Sequence, residues 1–145
     1  MGGDSIYKFD KTSEDHLKIF KKLTNNYKTM VMVQNFLPEI YDGDYRILII
    51  NGEPFPIGLA RIPQKGSFKG NLAAGGRGEA RELSADQIQA SKEIGKILIQ
   101  EGILFAGIDM IGSSLTEINI TSPTGAREIL TQTGQNPIKA LLQSI

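Results

Sequence analysis

Asp109, Glu117 and Asn119 are the residues whose types and spacing most invite chemistry. They lie in Phe105 to Pro123, FAGIDMIGSSLTEINITSP, which reads as two short strands joined by a tight turn. Before the turn Ile103, Phe105, Gly107 and Asp109 alternate with Leu104, Ala106, Ile108 and Met110. After it Glu117 and Asn119 share one face, while Ile118 and Ile120 take the other. A three-residue loop at Gly112-Ser113-Ser114 would pair Ile111 with Leu115, Met110 with Thr116 and Asp109 with Glu117. Two carboxylates would then stand opposite each other with β-carbons about 5 Å apart. Like charges so placed repel, so something positive should sit between them. Two carboxylates and an amide form a partial oxygen-ligand set for a hard cation such as Mg²⁺, which completes its shell with water and phosphate oxygens. The other reading is a solvated hairpin with both carboxylates in water, and the spacing leaves the two open.

The elements that must position this hairpin follow from periodicity. Ser5–Phe9 reads as a short strand, and Asp10 to Asn26 as a helix capped by Ser13, with Leu17, Phe20 and Leu23 on one side. His16 falls on the polar side of that helix as a surface residue. Thr29 to Leu37 reads as a buried strand ended by Pro38. Tyr45 to Asn51 and Glu53 to Ile62 read as strands joined at Asn51-Gly52, the strongest hairpin signal in the chain. Arg46 interrupts the first of these and shares a face with Leu48 and Ile50. On pattern alone Arg46 and Arg61 read as strand-end arginines in water. Ser84 to Glu101 is a helix capped by Ser84 and stopped by Gly102, with an apolar stripe of Ile88, Ser91, Ile94, Ile97 and Leu98. Ser122-Pro123 is expected to open a short helix running to about Thr131, and Pro137 to Gln143 a last one.

Between these elements lies Pro63 to Gly78, sixteen residues without periodicity. It holds five glycines and the cations Lys65, Lys69 and Arg77, with no acid. Free backbone N–H groups beside local positive charge suit a phosphate or carboxylate cradle, and a flexible surface loop remains the alternative.

The chain has 145 residues, one domain's worth, with 40% hydrophobic and 22% charged residues. Sixteen basic residues balance sixteen acidic ones, so no global field favours nucleic acid or a membrane surface. The absence of cysteine excludes disulfides and thiolate metal sites. No apolar run approaches the ~18 residues of a membrane span, and the start lacks a signal-peptide pattern, so the cytoplasm is the expected location.

The runs MGGDSIYK, VQNFLPEIYDGDYRILIINGEP, LARIPQKGSFKGNLAAGGRGE, FAGIDMIG and LTEINITSPTGAREI, in this order, cover nearly the whole chain. In them the chain closely resembles the C-terminal ATP-grasp part of bacterial glutathione synthetase. The resemblance implies an α+β fold: an antiparallel sheet with helices against one face and a long glycine-rich flap. It implies an ATP-dependent ligase that phosphorylates the C-terminal carboxylate of γ-glutamylcysteine and lets the amine of glycine attack the acyl phosphate. By the same matching Asp109, Glu117 and Asn119 hold Mg²⁺ (or Mn²⁺) against the ATP phosphates. Gly2, Gly3 and Ser5 end a small glycine-rich loop over those phosphates; Gln34, Asn35, Phe36 and Leu37 meet adenine; Asp44 lies near the ribose. Arg46 and Arg61 are the catalytic candidates, facing the acyl phosphate and the dipeptide. Lys69, Asn71, Gly75, Gly76 and Arg77 belong to the flap, which shields the intermediate from water. Ser122 helps hold the peptide.

Lys69 departs from an expected arginine, keeping the charge but losing the bidentate fork. Gly125 stands where the family often has cysteine. The resemblance further implies a partial ATP-grasp domain, lacking the N-terminal domain and two upstream nucleotide-contacting lysines. Such a chain is expected to show no ligase activity alone, and the full-length enzyme to be a homo-oligomer. The alternatives are another ATP-grasp carboxylate–amine ligase, or a truncated, non-catalytic ATP-binding domain.

Overall fold

The hairpin at Asn51-Gly52 sets the sheet. Both turn residues take left-handed backbone angles, φ 48° and 81°, the combination that matches the twist of two antiparallel strands. They join β1 (Asp44–Ile50) to the two-residue β2 (Glu53–Pro54), with Ile50 opposite Glu53. The expected strand Glu53 to Ile62 breaks here, and β3 (Ile57–Ile62) resumes antiparallel to β1. The break falls at its two prolines, which cannot donate to a ladder.

The computed structural model describes residues 6–9, 15–70 and 75–145. They divide into two compact units, Met1–Leu37 and Pro38–Ile145. In the second, a six-stranded antiparallel sheet runs β4-β3-β1-β5-β6, with β2 on β1. Its remaining strands are β4 (Arg77–Glu82), β5 (Phe105–Ile111) and β6 (Ser114–Asn119). Strand β4 is an addition to the sequence reading. RGEARE has no apolar alternation, and its backbone is tied down from another element: Gln132 accepts from Ala80 N–H at 2.8 Å and donates to Gly78 C=O at 3.0 Å.

One sheet face carries Ile47, Ile49, Ala106, Ile108 and Met110, packed with Leu83 and Leu98 and flanked by Ile88 and Ile94. Leu98, Ile88 and Ile94 come from α2 (Ala85–Gln100), which opens with a full capping box between Ser84 and Gln87 and is followed by Gly102 at φ 74°. Its buried residues are Gln87, Ser91, Gly95 and Leu98, whereas Ile97 of the expected stripe is 60% exposed. Gly95 causes the rotation: lacking a side chain, it rests on the backbone of Gly52. The opposite face is not bare, as helices on one face only would have left it. Ile129 of α3 (Ala126–Thr133) packs there with Leu48, Ile57 and Leu59. That helix starts three residues later than Ser122-Pro123 suggested, at Gly125 with φ 112°. A last helix, α4 (Pro137–Gln143), is capped by Asn136.

In the first unit α1 spans His16–Leu23, shorter than expected, and Asn25, Asn26 and Tyr27 at φ 46°, 55° and 67° stop its winding. The expected cap Ser13 lies outside the described residues. His16 is half-buried rather than a plain surface residue, its ring edge-on to Phe9 at 5.3 Å. Residues 6–9 and 29–37 are not strands. A strand needs hydrogen-bonded neighbours, and among the described residues none pairs with either segment. Met30 and Met32 accordingly stand 98% and 82% exposed instead of buried. Among the described residues no helix is long and apolar enough to cross a membrane.

Candidate functional site

Pleating places Asp44, Arg46 and Leu48 on one face of β1. Register carries that face across the sheet: Arg46 stands opposite Asp109 of β5, and Asp109 opposite Glu117 of β6. Two residues along, Leu48 aligns with Gly107 and Gly107 with Asn119. On the other side Asp44 faces Arg61 of β3. The expected Asp109–Glu117 pair is therefore present, by a different route. The turn has two residues, not three, so Ile111 pairs with Ser114 and Met110 with Leu115. A bulge between Asp109 and Met110 then restores the register. Thr116, expected opposite Met110, is the extra residue, and its hydroxyl donates to Asp109 C=O at 3.1 Å.

Of the two carboxylates, Asp109 meets positive charge from the protein itself. Arg46 grips Asp109 with a fork, Nε to Oδ1 at 2.5 Å and Nη2 to Oδ2 at 2.9 Å. Arg61 Nη2 adds a third contact to Oδ2 at 2.8 Å and bridges to Asp44 Oδ2 at 2.5 Å. Arg61 Nε also donates to Asp44 C=O at 3.3 Å, and Arg46 Nη1 to Thr124 Oγ1 at 3.4 Å. Arg46 is 6% exposed and Asp109 3%, so Arg46 is no strand-end arginine in water. Arg61 is likewise half-buried and paired.

Burial acts to raise the Asp109 pKa, but hydrogen bonds from Arg46 and the Arg61 and Arg46 charges outweigh it and hold the carboxyl below its ordinary value. Burial raises the Asp44 pKa by more than the Arg61 charge lowers it. Among the described residues Asp44 Oδ1 is buried without a hydrogen-bond partner. Burial opposes the charge on Arg61, yet Asp44 and Asp109 raise its pKa above the ordinary arginine value. Two arginines and two aspartates make a neutral cluster.

Glu117 is exposed beside this cluster, and no ion pair engages it among the described residues. Asn119 Oδ1 accepts from Thr121 N–H at 3.2 Å and Ser122 N–H at 3.3 Å, folding the chain back after β6. Gly107 keeps the centre of the row clear: a Cβ there would lie 2.8 Å from Pro123 Cβ and 3.0 Å from Arg46 Cδ. Among the described residues no three His, Cys, Asp or Glu side chains converge. A metal at this hairpin would thus draw on Asp109 and Glu117, which share a face by register, and the amide oxygen of Asn119. That all-oxygen set fits Mg²⁺ in type.

The flap meets the cluster at its base. Gly70 is buried, and a Cβ there would come within 2.6 Å of Arg61 O and 3.2 Å of Asp44 Cβ. Lys69 N–H donates to Ser67 Oγ at 3.1 Å, Gly75 C=O accepts from Gln64 Nε2 at 2.7 Å, and Arg77 ion-pairs with Glu79. Gly76 is half-buried. Gly2, Gly3, Ser5 and Asn71 lie outside the described residues. Gln34, Asn35, Phe36 and Leu37 belong to the first unit, where the Lys8 ammonium sits 3.7 Å from the centre of the Phe36 ring. Sequence reasoning missed Thr124 and the Asp44–Arg61 pair, since no local spacing marks residues joined across strands.

A sequence model of the prokaryotic glutathione synthetase ATP-grasp domain matches residues 1–134. The chain belongs to that family. As an ATP-grasp domain it is 47% identical over all 145 of its residues to a glutathione synthetase of Nitrosomonas europaea, covering 45% of that relative. It is 50% identical over 129 residues to one of Photorhabdus laumondii and 49% identical over 129 residues to one of Escherichia coli O157:H7, covering 89% of this chain and 41% of each relative. This ATP-grasp chain therefore spans less than half the length of these curated relatives.

Proposed function

We propose that these residues form the phosphate-facing part of a glutathione synthase, which joins γ-glutamylcysteine to glycine at the expense of ATP. The observation that carries this reading is the buried Arg46–Asp109–Arg61 cluster beside exposed Glu117, in a chain of the glutathione synthetase ATP-grasp family. In the proposed reaction a carboxylate oxygen of the dipeptide attacks the γ-phosphorus of ATP, and the bond to the ADP oxygen breaks. The amine of glycine then attacks the acyl carbon, phosphate leaves, and the new amide nitrogen loses a proton. Such chemistry asks for positioning and charge neutralisation more than for acids or bases.

Arg46 and Arg61 offer N–H donors in rigid planar forks that suit phosphoryl oxygens. Asp44 and Asp109 hold those forks in place before any substrate arrives. Asp109, Glu117 and Asn119 would hold Mg²⁺, which supplies charge neutralisation at the phosphates when bound. Gly70 lets the flap cross close over Arg61, and Lys69 rides on it to exclude water from the intermediate. Ser122 lies at the peptide side, and the enzyme works in the cytoplasm as a homo-oligomer.

The test is a chimaera in which these 145 residues replace the matching segment of the Nitrosomonas europaea relative. The chimaera is expected to form glutathione and release one phosphate per peptide bond. A folded chimaera that binds ATP but forms no glutathione from γ-glutamylcysteine and glycine would overturn the assignment. Ligation of a different acid by that protein would favour another ATP-grasp carboxylate–amine ligase.

A further inference from the structure

Arginine donors meet both oxygens of Asp109, one at Oδ1 and two at Oδ2. The same carboxylate stands in register with Glu117 on the next strand. With three donors on a carboxylate only 3% exposed, a cation reaching it must displace part of the arginine clamp. We infer that the Arg46–Arg61 clamp and a divalent cation compete for Asp109, so that cation entry and arginine release are one coupled event. This rests on the reading that Asp109 and Glu117 together hold the cation.

The geometry gives each arginine somewhere to go. Arg61 keeps Asp44 through its side-chain oxygen at 2.5 Å and its carbonyl at 3.3 Å. Arg46 keeps the Thr124 hydroxyl at 3.4 Å. Surrender of Asp109 therefore frees donor groups without loosening either side chain from the site. The charge count points the same way. The closed cluster of Arg46, Arg61, Asp44 and Asp109 is neutral. Once Asp109 turns to a cation, two arginines are left with Asp44 among the described residues, and the surplus positive charge suits a phosphate. A cation arriving alone finds Asp109 occupied, and a phosphate arriving alone finds the arginines occupied. Arriving together, each supplies what the other displaces. The coupling is reciprocal, as any linkage between two sites must be.

The consequence is counter-intuitive for an arginine beside a metal site: removing it strengthens metal binding even in the absence of nucleotide. Ordinary like-charge repulsion points the same way for a charge-removing variant, so a charge-conserving one is needed beside it. The probe is Mn²⁺ alone, titrated into the 145-residue chain, with free Mn²⁺ read by electron paramagnetic resonance. Two variants are compared with the parent, each checked for folding by circular dichroism. Arg61→Gln removes one cation from the clamp. Arg46→Lys keeps the charge but cannot form the fork on Asp109. Both are expected to bind Mn²⁺ tighter by about tenfold or more. Addition of Glu117→Gln to either should abolish the gain, because the tightened site includes that carboxylate. Equal Mn²⁺ affinity in the parent and in Arg46→Lys would overturn the coupling while leaving the metal site standing. Absence of Mn²⁺ binding in all the proteins would overturn the metal site and the coupling with it.

Discussion

Asp109→Ala is expected to destabilise the chain by about 3–5 kcal/mol, the usual cost of stripping one partner from a buried ion pair. The reason is what remains, not what is removed. Arg46 and Arg61 would be left with side chains only 7% and 13% exposed, and among the described residues the ion pair remaining to them is Arg61 with Asp44. An arginine cannot escape by giving up its proton, so the desolvation cost stays in full. Asp109→Asn retains an acceptor oxygen for Arg46 and is expected to cost less, which separates hydrogen bonding from charge. Urea unfolding at neutral pH measures both variants. A loss below about 1 kcal/mol for Asp109→Ala would place the cluster in the class of solvent-screened surface pairs and contradict the burial argument.

Gly95→Ala carries the second large effect, and two opposing contributions decide its sign. In a helix interior, alanine is better than glycine by roughly 0.5–1 kcal/mol because the unfolded chain loses less freedom. Against this, a Cβ at Gly95 would overlap the carbonyl oxygen of Gly52 outright and lie 2.7 Å from its carbonyl carbon. The obstructing atoms are backbone, and they belong to a turn whose positive φ angles leave little freedom to move. Helix α2 would have to lift from the sheet or the hairpin would have to open. Overpacking of this kind typically costs about 1–3 kcal/mol, so the overlap wins and the melting temperature should fall. A rise in stability on Gly95→Ala would show that α2 does not rest on this turn.

The register that matters for function was legible, though for partly the wrong reason. Alternation through Asp109 and Glu117 fixes which residues share a face, since a one-residue slip would have put Ile108 and Met110 on the polar side. The turn length was misjudged, and the bulge at Thr116 compensated for it. Like-charge repulsion predicted a positive charge between Asp109 and Glu117; the cation the structure shows on Asp109 is instead Arg46, 63 positions away, which comes from the β1 side. No spacing rule reaches that far. A signal did exist: an arginine in an apolar strand, facing the same way as Leu48 and Ile50, is costly to bury unless something meets it. Strand β4 escaped because RGEARE is charged throughout, and its pairing depends on β3 and on the Gln132 side chain. Thr29 to Leu37 failed in the opposite sense. Its apolar pattern promised a strand, yet pattern cannot supply the neighbour that a ladder requires.

In the proposed site Asp109 and Glu117 form the cation side facing Mg²⁺-ATP. The most direct test is isothermal calorimetry of Mg²⁺-ATP binding to the Nitrosomonas europaea chimaera, with and without Glu117→Gln. Glu117 is exposed and makes no ion pair among the described residues, so the substitution should leave the melting temperature nearly unchanged. Mg²⁺-ATP affinity is expected to fall by about tenfold or more with the fold intact. Unchanged Mg²⁺-ATP affinity in the folded variant would contradict it, and would leave Glu117 as a solvated hairpin carboxylate.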